Sequence, residues 1–409
     1  MNKVFQRLTA LVLALVLTLT LGACAADTPK ATDAATTPAT QPSVSSSTEN
    51  TTAPATEPEA AAPEISGLTF QEETELLYAQ CFHLYRYEGG YTLIRIVDGG
   101  DFLVVPEGAA VPDDLDGSIT VLQQPLNRIY LAATSAMALF SAMDAVDAIR
   151  MTGVQASGWY IDAAIEGLNN GSILFAGKYS APDYEMLINE ECDLAIESTM
   201  IYHTPKVKEM IEDLGIPVLV DRSSYESHPL GRTEWIKLYA ALVGKEAEAA
   251  AFFDQQADII RQLENFENTG KTVAFFYVNS DGSVVIRKPT DYIPKMIALA
   301  GGKYAFEDLV TDQTATSISI TMENFYATAV DADVLIYNAS IDAPISSIEE
   351  LVAKDALFAD FKAVKEGNVW CTGKSFYQAT DIVGEMIRDI HHVLTDGDES
   401  AMTFLTKVS

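Results

Sequence analysis

Hydrophobic and polar positions fall into three regimes along the chain. After Lys3 and Arg7 comes an unbroken apolar run, LTALVLALVLTLTLG, whose length fits the core of an export signal better than a settled membrane span. Residues 25–63 are then almost pure Ala, Thr, Pro and Ser with scattered acids. Such a segment cannot bury enough surface to offset its ordering entropy, so an extended linker is expected. From Ser66 on, short apolar runs of strand length alternate with stretches of helical period. YTLIRIV and DFLVVP lead into NRIYLAATSAMALFSAM, then CDLAIES, KVKEMIEDLG and IPVLVDRS. A second set follows residue 270: TVAFFYV, VVIRK, YIPKMIALAGG, ADVLIYNAS, NVWCTG and TDIVGEMIRDIHHVLT. Buried strands separated by helices predict mainly parallel sheets covered on both faces.

Between the two sets lies Lys245 to Phe266, without Gly or Pro, where Phe252, Ile259, Leu263 and Phe266 share one face at helical spacing and Phe253, Ala257 and Ile260 lie beside them. A single helix bridging two α/β lobes is expected there. The predicted organisation is a signal peptide over 1–23, a linker over 24–64, a first lobe over 65–244, a bridging helix over 245–267 and a second lobe over 268–409.

The apolar run ends in LGAC, which resembles a bacterial lipobox. That resemblance implies cleavage before Cys24, lipidation of its sulfur, and an exported protein held by lipid on the outer face of the cytoplasmic membrane. The net charge of −32 argues against nucleic acid as a partner. The other cysteines, Cys81, Cys192 and Cys371, form no CxxC pair and support no assigned disulfide.

Candidate chemistry concentrates in DRSSYESHPLGRTEWIK, Asp221 to Lys237. Ser223 or Ser224 with His228 and an acid would make a hydrolase centre, although no GxSxG elbow frames the serines. His228 with Glu226 would need further ligands to hold a metal, and the five histidines offer no HxxxH pair, so no metal site is assigned. The third reading follows from position: the stretch leaves the carboxyl end of a buried strand, where open α/β sheets bind ligands. His228 and Arg232 then face an anionic ligand, unless Arg232 simply pairs with a local acid. The same argument selects Trp159, Tyr160, Tyr179, Tyr202 and His203 in the first lobe, and Arg287, Lys288, Trp370 and Tyr377 in the second. Aromatic rings beside cationic groups suit a bulky, partly apolar anion. Arg287 is the first choice among them, because an arginine ending an apolar strand needs an anionic partner or open solvent.

The two halves echo each other. DYEMLINEECDLAI and MENFYATAVDADVLI each put a glutamate, Glu185 or Glu323, in the first turn of a helix and follow it with a strand opened by Asp193 or Asp333. An acid there offsets the helix dipole. Lipobox, linker, lobe, long helix and second lobe, with LGIPVLVDRSSYESHPLGRTEWIKLYAALVGKEAEA and MIALAGGKYAF in this order, resemble a substrate-binding lipoprotein of an ABC importer, of the group carrying ferric siderophores, haem and cobalamin. The resemblance implies the class III periplasmic-binding-protein-like fold of two Rossmann-like lobes. It also implies a non-enzymatic, monomeric receptor with no cofactor of its own, binding an iron complex as cargo. Glu185 and Glu323 would then dock onto a membrane permease, and a separate cytoplasmic protein would supply the ATPase, since this chain has no Walker motif.

Overall fold

The computed structural model describes residues 62–263, 266, 268–311 and 316–409. The expected signal, Cys24 and most of the linker lie outside the described residues.

The first strands make a sheet of their own. Strands β1 (Phe70–Glu73), β2 (Phe82–Tyr87), β3 (Thr92–Ile96), β4 (Gly100–Val105) and β5 (Ile119–Gln123) lie in that order, antiparallel from β1 to β4, with β5 parallel to β4. The sequence reading treated YTLIRIV and DFLVVP as a short prelude to a parallel sheet. A turn as tight as Val97–Gly99, with Asp98 at φ 53°, can only join antiparallel strands. The sheet's central strands bury side chains on both faces, while β1 is exposed throughout. Tyr85, Tyr87, Leu93 and Leu103 close a small core with Ile65, while Phe82, Leu84, Ile94 and Phe102 join the main core.

Strands β6 (Ile129–Leu131), β7 (Ile149–Thr152) and β8 (Leu174–Phe175) belong to the first lobe; β9 (Gly177–Lys178) and β10 (Ala181–Pro182) form a short hairpin beside them. With β11 (Leu194–Ser198) and β12 (Val218–Asp221) the lobe's sheet runs β12-β11-β6-β7-β8, all parallel. Its helices are α1 (Ala136–Ala142), α2 (Asp162–Asn170), α3 (Tyr184–Asn189), α4 (Pro205–Asp213), α5 (Pro229–Glu234) and α6 (Ile236–Val243). Gly244, left-handed at φ 71°, ends α6 and lets the chain turn into α7 (Glu246–Leu263).

Helix α7 packs on α6 of the first lobe and on the last helix of the second, α12 (Val383–Thr395). Its buried face is Ala249, Phe253, Gln256, Ala257, Ile260 and Leu263, one residue round from the stripe read in the sequence. Phe252 and Ile259 are half-buried and Phe266, past the helix end, is exposed. The rotation follows from a close approach: a Cβ on Gly384 would lie 2.8 Å from Gln256 Oε1, so the helices cross there and draw Gln256 inward. Gln256 repays its burial by accepting from the Gly384 amide and donating to Glu385.

The second lobe holds β13 (Thr272–Val278), β14 (Val284–Arg287), β15 (Lys303–Tyr304), β16 (Ser317–Ile320), β17 (Val334–Tyr337), β18 (Val369–Thr372) and β19 (Leu405–Lys407). Strands β15, β13, β17 and β18 are parallel; β14 and β19 run against them, and β16, antiparallel to β14, runs with them again. Helices α8 (Tyr292–Leu299), α9 (Met322–Ala329), α10 (Ile348–Lys354) and α11 (Lys362–Glu366) complete it before α12. The echo between halves has a structural basis. At the head of β11, Asp193 accepts from the amides of Asn127 and Arg128 just before β6. At the head of β17, Asp333 accepts from the amide of Thr272, which opens β13.

Candidate functional site

The two lobes meet through the loops that leave the carboxyl ends of their parallel strands. From the second lobe, the loop after β18 crosses over. Gln378 accepts from the Tyr160 amide and donates to the Gly158 carbonyl, both after β7. Thr380 donates to the Ser135 carbonyl after β6 and accepts from Thr233 of α5. Along this seam the first lobe exposes Tyr160, Met200, Tyr202 and Tyr225, each following a parallel strand, and the second exposes Ile341 after β17. Large apolar side chains left in water on neighbouring loops mark a surface that receives something.

Two arginines of the connection after β12 give the seam its charge. Arg222 lies over the Tyr225 ring at 4.9 Å, reaches the Tyr202 hydroxyl at 3.5 Å and touches Asp98 of the β3–β4 turn. Arg232 is only 7% exposed, and its guanidinium sits 4.3 Å from the ring centroid of Tyr292 in the second lobe. The Nε of each is buried without a hydrogen-bond partner. No carboxylate among the described residues forms an ion pair with Arg232, so the reading that pairs it with a local acid gives way to a buried, unpaired cation. Beside them a cavity of about 190 Å³ lies between the lobes, lined by Ser224, Tyr225 and Ser227 on one side and Lys288, Thr290 and Tyr292 on the other.

Several expected ligand residues are otherwise engaged. Arg287 is buried, donates two bonds to Asp291 at 3.1 and 2.6 Å, and a third to Ser317. Burial opposes its charge, but the Asp291 carboxylate more than restores it and keeps the guanidinium protonated. Although β14 runs against β13, Arg287 still lies near the seam, 5.8 Å from the Tyr292 ring centroid that Arg232 also faces, and what commits its guanidinium is the pairing with Asp291. His228 caps α5, its Nδ1 accepting from the Leu230 amide, and stacks on Tyr78 at 4.3 Å. Burial, and then Lys295, lowers its pKa to about 4, so its ring is neutral and committed to the helix. Trp159 is buried with its Nε1 donating to the Val154 carbonyl, and Trp370 is a core residue of β18 with Lys407 over its ring. Tyr179 is half-buried against the outer core of the first lobe. Tyr202 is exposed at the seam, and Tyr377, half-buried beside Gln378, accepts from Asn338.

The stretch from Asp221 to Lys237 is also a structural latch. Glu234 accepts from the amides of Leu77, Tyr78 and Ala79, and Glu226 from those of Gln80 and Cys81. Glu226 takes the Trp235 indole N–H as well, and Lys237 donates to Glu234. Two buried carboxylates thereby satisfy five successive backbone donors. The hydrolase geometry is not formed: Ser224 Oγ pairs with Thr199, the Ser223 amide donates to Asp221, and no hydrogen bond joins either serine to His228 among the described residues.

Glu185 and Glu323 occupy the same position in their lobes. Each is the second residue of its helix, α3 or α9, behind a capping side chain, Asp183 or Thr321, and each is exposed. Backbone N–H at the helix end and the Thr321 hydroxyl hold the Glu323 carboxyl below its ordinary range.

Sequence reasoning did not mark Tyr225, Tyr292, Asn338 or Gln378. Tyr225 stood inside the window under scrutiny; Tyr292 read only as part of a buried helix, and nothing local distinguishes Gln378.

The fold agrees with that of known proteins. The chain is 27% identical over 321 residues to an uncharacterized lipoprotein of Methanocaldococcus jannaschii, covering 74% of each. Its fold matches a possible iron-binding (periplasmic solute-binding) protein from Staphylococcus epidermidis with a TM-score of 0.51 at 17% identity, over 66% of this chain and 99% of that one. It also matches the periplasmic haem-binding protein HutB of Vibrio cholerae with a TM-score of 0.53 at 15% identity, over 66% of this chain and 97% of that one. The family model described as periplasmic binding protein matches residues 138–375, more than half of the sequence. By that match, and by two α/β lobes meeting at the carboxyl ends of their strands, the chain belongs to the periplasmic binding protein family.

Proposed function

We propose that the protein is an extracytoplasmic solute receptor of an ABC importer, capturing an anionic iron complex such as a ferric siderophore between its lobes and delivering it to a membrane permease. The observation that carries this reading is Arg232, a buried guanidinium with no ion-pair partner, facing an aromatic ring of the other lobe. Burying an unpaired charge costs several kcal/mol, so an anion that completes it is strongly favoured. Exposed Tyr160, Tyr202 and Tyr225 add stacking area for a bulky ligand, and the half-buried Tyr377 lies beside them. The iron-binding and haem-binding names of the similar structures favour this class of cargo; a haem or cobalamin receptor of the same fold is the alternative.

In this reading Cys24 carries the lipid that tethers the protein, as the lipoprotein name of the relative suggests, and the receptor works as a monomer. Glu185 and Glu323, one per lobe, register it on permease arginines, fixing orientation more than adding affinity. Tryptophan quenching during titration with ferric siderophores, haem, cobalamin and free metal ions tests the assignment. Saturable binding of one iron complex is expected; silence across the panel would remove iron from the function.

A further inference from the structure

The loop after β18 hydrogen-bonds to both Gly158 and Tyr160 through one planar side-chain group. Gln378 Oε1 accepts from the Tyr160 amide at 2.9 Å, and Gln378 Nε2 donates to the Gly158 carbonyl at 2.8 Å. The orientation of the amide is fixed by its partners, since a backbone N–H only donates and a carbonyl only accepts. Few side chains satisfy this pair. Glutamate lacks the donor at neutral pH, and asparagine is one methylene too short to reach from the same backbone position.

We propose that Gln378 is the clasp of the cleft: its amide joins the lobes and must release Gly158 and Tyr160 for the cleft to open. Three features support it. The contact spans the lobes, 218 and 220 residues apart in sequence. Its first-lobe side is the half-buried Gly158 and the exposed Tyr160, and Gln378 is the hydrogen-bond partner that the Gly158 carbonyl and the Tyr160 amide have among the described residues. Two residues on, Thr380 makes the second pair of interlobe bonds, to Ser135 and Thr233, and anchors the loop so that the Gln378 side chain can move on a fixed base.

The strength suits a gate. Two neutral hydrogen bonds, each made in exchange for water, favour the closed arrangement by roughly ten- to a hundredfold. That keeps the clasp shut most of the time yet leaves an open population that a ligand can capture. From the receptor reading this inference takes only the position of the cleft, and its test uses no ligand.

The test is amide hydrogen exchange on the whole chain, read at Tyr160. In the wild type the Tyr160 amide should exchange at least tenfold more slowly than an unprotected peptide. Gln378→Ala should abolish that protection while the amides of β6 and β11, and the melting temperature, stay as they were. Gln378→Met, which keeps the bulk and removes both bonds, should behave as Gln378→Ala does, separating hydrogen bonding from packing. An unprotected Tyr160 amide in the wild type, or protection that survives both substitutions, would overturn the clasp. The exchange result is independent of the ligand titration proposed above, whose failure would remove the cargo and leave the clasp standing.

Discussion

Arg232 and Tyr292 belong to different lobes, yet the guanidinium lies over the ring at 4.3 Å. Tyr292 in turn stacks on Phe376 of the loop after β18, so the cation rests on an aromatic column reaching into the second lobe. A cation on a ring face gains roughly 0.5 to 2 kcal/mol, which does not match the cost of burying a charge without a counter-ion. The ring therefore offsets only part of the cost of burying Arg232, and an anion bound there would supply the rest.

That balance separates binding from folding. Arg232→Met should weaken an anionic ligand by about 1 to 3 kcal/mol through loss of a charge-assisted bond, while thermal stability holds or rises. Titration and melting curves on the same preparations check it. A variant that melts markedly lower would mean that the guanidinium supports the fold.

Arg287 should show the opposite behaviour. Arg287→Ala strands the buried Asp291 carboxylate and should cost about 3 to 5 kcal/mol in urea denaturation, with ligand affinity of the folded fraction unchanged. Replacing both partners, Arg287→Met with Asp291→Leu, should recover most of the loss.

Glu197 gives a pH dependence of known sign. Its carboxyl is wholly buried in β11, neither oxygen has a hydrogen-bond partner, and burial raises its pKa to about 8. The unfolded chain releases that proton near the ordinary glutamate value of about 4.3, so between there and about pH 8 folding takes up a proton. Wild-type stability should fall across that window relative to Glu197→Gln, by a few kcal/mol at most. The two proteins should converge toward the acid end. Parallel pH–stability curves would refute the assignment.

Glu185→Arg with Glu323→Arg should abolish uptake in cells and leave ligand affinity intact, since both side chains are exposed on helices α3 and α9, outside the seam. Reduced affinity in the purified double variant would show that these glutamates serve the site instead of a permease.

The layered fold was legible because strand and helix periods differ and because Gly244 punctuates the passage into α7. The first sheet was underestimated, since its strands are as apolar on both faces as parallel ones; only the tight turn at Asp98 betrays their direction. Within the site, position after a strand correctly brought Tyr160, Tyr202 and Arg232 to the seam. Arg287 also lies near that seam, 5.8 Å from the Tyr292 ring, but its guanidinium is held by Asp291, a pairing that position after a strand does not reveal. Trp159 and Trp370 are buried, their indoles filling space that the local sequence does not show. Gln378 matters through partners 218 and 220 residues away, and no window of sequence contains that relation.

The five amides held by Glu226 and Glu234 have a mechanical consequence. Both carboxylates sit on the connection that also carries Arg222 and Arg232, so a pull transmitted through residues 77–81 is delivered to the first lobe alone. None of those five bonds reaches the second lobe. It can rock on α7 without working against whatever holds the chain's beginning, much as a door swings freely when only its frame is bolted down.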